Sequence, residues 1–208
     1  MTTRSLSGLK RLVLTTVILS LSLFTLVACS PAKPTFNAMD VSGAPWGKTF
    51  SLPNLQGQPI SPQDFPGKIT VVFFGFMYCP DACPTHLTKM ERVKSLLGNQ
   101  AEKVQLVFIT VDPERDQPEV LQKFLNSFDP SIVGLRGSVE ATQEVAKEFR
   151  VFFKKVPTSS AAKDPMAYTI DHTTFSYVFD GKGQLRLVIS HDLAEDKIAQ
   201  DFKNLISE

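Results

Sequence analysis

Residues 68–76 read KITVVFFGF, an unbroken apolar run rich in β-branched and aromatic side chains. A strand of that composition has no face left for water, so it belongs in the middle of a mainly parallel sheet with both faces covered. A second run of the same kind, VQLVFITVD, occupies residues 104–112. Between them Leu87, Met90, Val93 and Leu97 fall on one face of a helix that Gly98 ends, with Pro84 suited to its first turn. These segments fix the centre of the fold.

Weaker signals complete it. TFSLPNLQGQPIS turns at Gln56-Gly57 and predicts a small N-terminal hairpin. DQPEVLQKFLNSF predicts a helix with Asp116 as N-cap and Glu119 three residues on. IVGLRG reads as a short strand, and SVEATQEVAKEFRVFF as a helix capped by Ser138. Lys154 to Ile170 is polar and reads as a loop, long for a compact domain and so functional or mobile. HTTFSYVFD and GQLRLVIS flank a Gly181–Gly183 turn and predict an antiparallel hairpin, and DLAEDKIAQDFKNLIS an amphipathic closing helix.

The N-terminus stands apart. Arg4, Lys10 and Arg11 precede an uncharged apolar stretch from Leu12 to Ala28. This is the form of a secretory signal, short against the roughly 20 residues a spanning helix needs. It ends in LVAC, Leu26 to Cys29, which resembles a bacterial lipobox. The resemblance implies cleavage before Cys29 and a lipid on its sulfur, hence an exported chain lipid-anchored on the outer side of a bacterial membrane. Ser30 to Gly47, rich in Pro, Ser, Ala and Gly, reads as a flexible tether, with Trp46 expected to pack on the domain edge. The domain reading is a signal peptide at 1–28, a lipidated tether at 29–47 and one folded domain at 48–208. Removing residues 1–28 shifts the formal charge from +1 to −2. No basic patch is present to hold nucleic acid.

Of the three cysteines, Cys29 is assigned to lipid, which leaves Cys79 and Cys83. An exported chain tolerates disulfides. A staple across so short a loop stabilises little, so the pair reads as chemical rather than structural. A CxxxC segment directly after a buried strand, at the start of a helix, completes a thioredoxin-like layout: an α/β domain with a central mixed sheet flanked by helices. With Cys83 expected at the helix N-cap, the dipole favours a thiolate, and both sulfurs are expected on one exposed edge. They serve equally as a redox couple or as a soft-metal site. Spacing alone does not choose.

His172, in YTIDHTTFSYVF, stands before the strand that follows the long loop. By analogy with thioredoxin-like folds, that position faces the cysteine edge. Two sulfurs and one imidazole suit Cu(I) and also accept Cu(II). His86 reads as a solvated helix residue that could approach the same metal, and His191 as a turn or surface residue. Zinc would normally ask for a more closed site.

CPDACP, VDPERD and DHT, in this order in an exported thioredoxin-like domain, resemble the Sco/SenC copper proteins across roughly residues 41–208. The resemblance implies copper ligation by Cys79, Cys83 and His172. It also implies that the chain delivers copper to the binuclear copper site in subunit II of cytochrome c oxidase, or reduces that site's cysteines. Other exported copper chaperones or thiol reductants are further candidate partners, and the chain is expected to act as a monomer. It reads as a binding and transfer protein rather than a turnover enzyme, with thiol–disulfide exchange as the alternative. A peroxiredoxin would carry Thr three residues before its reactive Cys, where this chain has Phe76. Asp112 and Arg115 of VDPERD read as loop-shaping residues and as candidates to face a partner, with no catalytic role.

Overall fold

The computed structural model describes residues 35–208 apart from Pro165. The segment expected to be a signal peptide, the expected lipidation site Cys29 and the expected tether as far as Pro34 lie outside the described residues. Residues 36–208 form one compact unit.

The two apolar runs are the central strands. After β1 (Met39–Asp40) and a small hairpin of β2 (Leu52–Pro53) and β3 (Pro59–Ile60), β4 spans Ile69–Gly75. Helix α1 (Ala82–Leu97) leads to β5 (Val104–Thr110). All seven residues of β4 and all seven of β5 are buried, so both faces of the sheet are covered there. They pair in parallel from Ile69 opposite Val104 to Gly75 opposite Thr110. Both strands therefore end at the same level, and the CPDACP and VDPERD segments leave the sheet side by side.

Helix α2 (Pro118–Asn126), β6 (Val133–Leu135) and α3 (Val139–Glu148) follow, with Ser138 Oγ capping α3 by accepting from the Ala141 amide at 3.1 Å. Then come β7 (Phe153–Pro157), β8 (Tyr168–His172), β9 (Ser176–Phe179), β10 (Leu185–Ile189) and α4 (Glu195–Ile206). The main sheet runs β1-β10-β9-β4-β5-β6, parallel through β4, β5 and β6 and antiparallel elsewhere. This is the mixed, helix-flanked sheet of a thioredoxin-like fold.

Several sequence expectations are corrected. The segment from Lys154 to Ile170 is loop only in its middle: its two ends are strands, β7 and β8, which pair antiparallel from Phe153–His172 to Pro157–Tyr168. It stands outside the main sheet, so β7 carries Lys154 and Lys155 exposed and shows no apolar strand signal. Asp116 is not the cap of α2. Gln117 holds that position, while the Asp116 side chain turns inward and is fully buried. Part of the stretch read as tether lies on the domain. Met39 and Asp40 pair with Val188 and Leu187, and buried Asp201 on α4 accepts the backbone N–H of Asn37 at 2.9 Å and of Ala38 at 2.8 Å. Trp46 packs edge-on against Tyr177. Among the described residues no helix is long and apolar enough to cross a membrane.

Candidate metal centre

Cys79 sits in the loop between β4 and α1. Cys83 is the second residue of α1 rather than its N-cap, which is Asp81. Pro84 fits anywhere in a helical first turn, so it did not mark the first position. One residue inside the helix, the Cys83 side chain points back at β4 and is buried, while Cys79 is half-buried. The expectation of two sulfurs on an exposed edge therefore holds only for Cys79. Gly75 makes the room: a Cβ there would lie 2.8 Å from the Cys83 sulfur and from the Phe108 ring.

His172 is the last residue of β8, three residues short of β9. Its Nε2 lies 3.7 Å from Cys83 Sγ. The ligand atoms of Cys79, Cys83 and His172 all fall within 4.8 Å of one another. On the far side of the ring, Nδ1 is 2.9 Å from the Thr173 carbonyl oxygen. A carbonyl can only accept, so Nδ1 carries the proton and Nε2 keeps its lone pair toward the sulfurs. That is the arrangement a metal-ligating histidine needs. Phe73 and Phe76 meet the imidazole edge to face, with centroids 6.1 and 5.7 Å away, and limit its rotation.

The two thiols divide their protons unequally. The Cys83 thiol hydrogen-bonds to Cys79, and this outweighs burial to pull Cys79 below the usual thiol range. The Cys83 amide lies 3.4 Å from Cys79 Sγ. The same hydrogen bond, then burial and the Cys79 charge, push Cys83 well above the usual thiol range. The pair therefore shares its protons unequally, with the half-exposed Cys79 losing its proton more readily than the buried Cys83.

His86 does not join this group. It is buried, stacked on Phe73 at 4.0 Å, with Nε2 3.1 Å from Ser176 Oγ, so the reading of a solvated residue is corrected. Its ring fills the space between α1 and the sheet. Sequence reasoning also missed what holds the ligands in place. Asp116 Oδ2 accepts the Met77 backbone N–H at 3.2 Å and the Thr110 hydroxyl at 2.6 Å, which ties down the loop carrying Cys79. Arg115 donates to Asp112 at 2.5 Å and to the Tyr168 carbonyl at 2.7 Å, and Tyr168 donates to Asp112 at 2.7 Å. VDPERD thus reaches both ligand-bearing segments. The signal was the motif itself; what it touches was not readable from one strand end.

The sequence model of the SCO1/SenC family matches residues 39–207, nearly the whole described chain. The chain belongs to the SCO1/SenC family. It is 36% identical over 155 residues to protein sco1 of Schizosaccharomyces pombe, a match covering 74% of this chain and 58% of that one. The chain thus spans well under two thirds of that relative's length. Among solved structures, Bradyrhizobium japonicum ScoI with copper bound is similar at a TM-score of 0.66 and 36% identity, covering 76% of this chain and 97% of that one. A SCO1/SenC family lipoprotein from Bacillus anthracis str. Ames is similar at a TM-score of 0.67 and 26% identity, covering 84% of this chain and all of that one (100%).

Proposed function

We propose that this SCO1/SenC protein binds copper through Cys79, Cys83 and His172 and hands it on during assembly of the binuclear copper site of cytochrome c oxidase. One observation carries the reading: two sulfurs and an imidazole nitrogen with its lone pair directed inward converge within 4.8 Å. Two thiolates and one imidazole are soft and borderline donors, which select copper over hard cations and leave coordination positions through which cargo can leave. Copper bound in the Bradyrhizobium japonicum relative supports the same cargo here. Cys79 is the half-exposed sulfur of the set, suited to first contact with arriving copper. Full ligation requires Cys83 to release its proton.

A second reading has its own support. A half-exposed thiolate at Cys79 beside a buried thiol at Cys83 is also the arrangement of an attacking and a resolving thiol, so the chain could reduce the cysteines of the oxidase copper site. That chemistry does not use His172. Oxidase assembly in cells carrying His172→Ala separates the two: lost assembly with dithiol exchange intact supports copper delivery, and normal assembly with copper binding abolished supports reduction. The lipobox and the similar Bacillus anthracis lipoprotein support an exported, lipid-anchored chain with Cys29 as its first mature residue.

A further inference from the structure

The hairpin that carries His172 is not part of the main sheet. Among the described residues β8 pairs only with β7, so no ladder from β4 or β9 sets how far His172 stands from the cysteines. Side chains alternate along a strand, which puts Tyr168, Ile170 and His172 on one face of β8. Tyr168 and Ile170 are buried and His172 is half-buried, so this face is turned inward. Whatever fixes Tyr168 therefore fixes the level of His172.

Arg115 does this. Its guanidinium lies 3.7 Å from the centre of the Tyr168 ring, and its Nη1 donates to the Tyr168 and Met166 carbonyls at 2.7 and 3.2 Å. It also lies 4.8 Å from the ring centre of Tyr78, the neighbour of Cys79. Asp112, fully buried, holds Nε at 2.5 Å and takes the Tyr168 hydroxyl on its other oxygen. One planar cation thus touches both the cysteine loop and the histidine hairpin. Lysine could supply the charge, but neither a planar group over both rings nor the fork of donors.

We infer that Arg115 is a positioning residue of the metal centre, a latch between Tyr78 and Tyr168 that sets the distance from His172 to the thiolates. The inference rests on the copper reading for its functional consequence, but the latch itself is a property of the metal-free chain. Loosening it draws back the imidazole and leaves both sulfurs in place. Cu(II), which needs the imidazole, then suffers more than Cu(I), which two thiolates can hold.

The test uses Arg115→Lys, which keeps the charge, and Tyr78→Ala, an exposed substitution that removes the stack without touching the hairpin's hydrogen bonds. In the metal-free chain, amide hydrogen exchange at Thr169–His172 should accelerate in Arg115→Lys while β4 and β5 stay protected. Unchanged protection of β8 would overturn the latch. With Cu(II) added alone under anaerobic conditions, affinity should fall by about 10- to 100-fold, the usual range for a residue that orients a ligand, and the sulfur-to-copper absorption band should shift. Tyr78→Ala should move both in the same direction. In a His172→Ala background, Arg115→Lys should cost no further affinity, since the ligand it positions is gone. A full loss in that background, or wild-type Cu(II) binding by Arg115→Lys, would overturn the inference. If the wild-type chain took up no copper, the copper reading would fail, and the exchange data would still decide the latch.

Discussion

The imidazole of His172 reaches the sulfur of Cys83 across 89 residues of chain, Nε2 to Sγ at 3.7 Å. Cys83 stands on helix α1 and His172 on a strand outside the main sheet, yet β8 ends where α1 begins. Their approach turns a dithiol into a mixed sulfur and nitrogen ligand set.

His172→Ala removes the nitrogen and leaves both sulfurs. His172 is only half-buried, so the domain should keep its melting temperature within a few degrees. Cu(II) affinity should fall by at least about tenfold, with a smaller change for Cu(I). Competition titrations with a chelator for each oxidation state read this out. Equal losses for both ions would show that the imidazole is no special partner of Cu(II).

Gly75→Ala tests the packing behind the site. The added Cβ would meet the Cys83 sulfur and the Phe108 ring at 2.8 Å, and both are held by buried neighbours. Overpacking of this kind costs about 1–3 kcal/mol. Urea unfolding should show that loss, together with faster alkylation of Cys83 as its sulfur is pushed from the sheet. Wild-type stability with wild-type alkylation would mean that the strand end yields freely.

Much of this was legible in the sequence, and the gaps have physical reasons. β4 and β5 announced themselves because strands buried on both faces must be apolar at every position. Cys79, Cys83 and His172 were legible because few chemistries use that set. β7 was not, because an edge strand can carry Lys154 and Lys155 toward water, and contacts far away in sequence hold the hairpin. His86 carried a signal that was passed over. It stands four residues before Met90 and seven before Val93, on the apolar face of α1, and its polarity argued for solvent until Phe73 and Ser176 were seen to cover it. Asp116 looked like a helix cap because capping residues and buried carboxylates share the same letters.

The buried His86 predicts the acid limb of stability. Burial lowers its imidazole from 6.5 to about 3, so the folded chain holds the ring neutral while the unfolded chain protonates it near pH 6.5. The stability it contributes is therefore complete above that pH and is lost as pH falls from 6.5 toward 3. Asp116 works the other way over part of this window: burial raises its carboxyl from 3.8 to about 6, so its contribution is lost as pH rises through 6. His86→Phe keeps the stack on Phe73 and removes the titration. Urea midpoints of the metal-free protein should then decline less steeply between about pH 6.5 and pH 4 than in the wild type. The same slope in both proteins would assign the acid loss to other groups.

The anchor is tested by mass. Protein extracted from membranes should begin at Cys29 and carry lipid on that residue. An intact chain that still begins at Met1 would remove the lipobox reading and leave the copper site untouched.

The most direct test of the central claim compares reduced and disulfide-oxidised protein in an anaerobic Cu(I) titration, followed by X-ray absorption at the copper edge. Ligation needs thiolates, so the dithiol should bind and the disulfide should not. The account expects one copper per reduced chain, coordinated by two sulfurs and one nitrogen, with the nitrogen absent in His172→Ala. Equal uptake by both redox forms, or copper bound without sulfur, would contradict it.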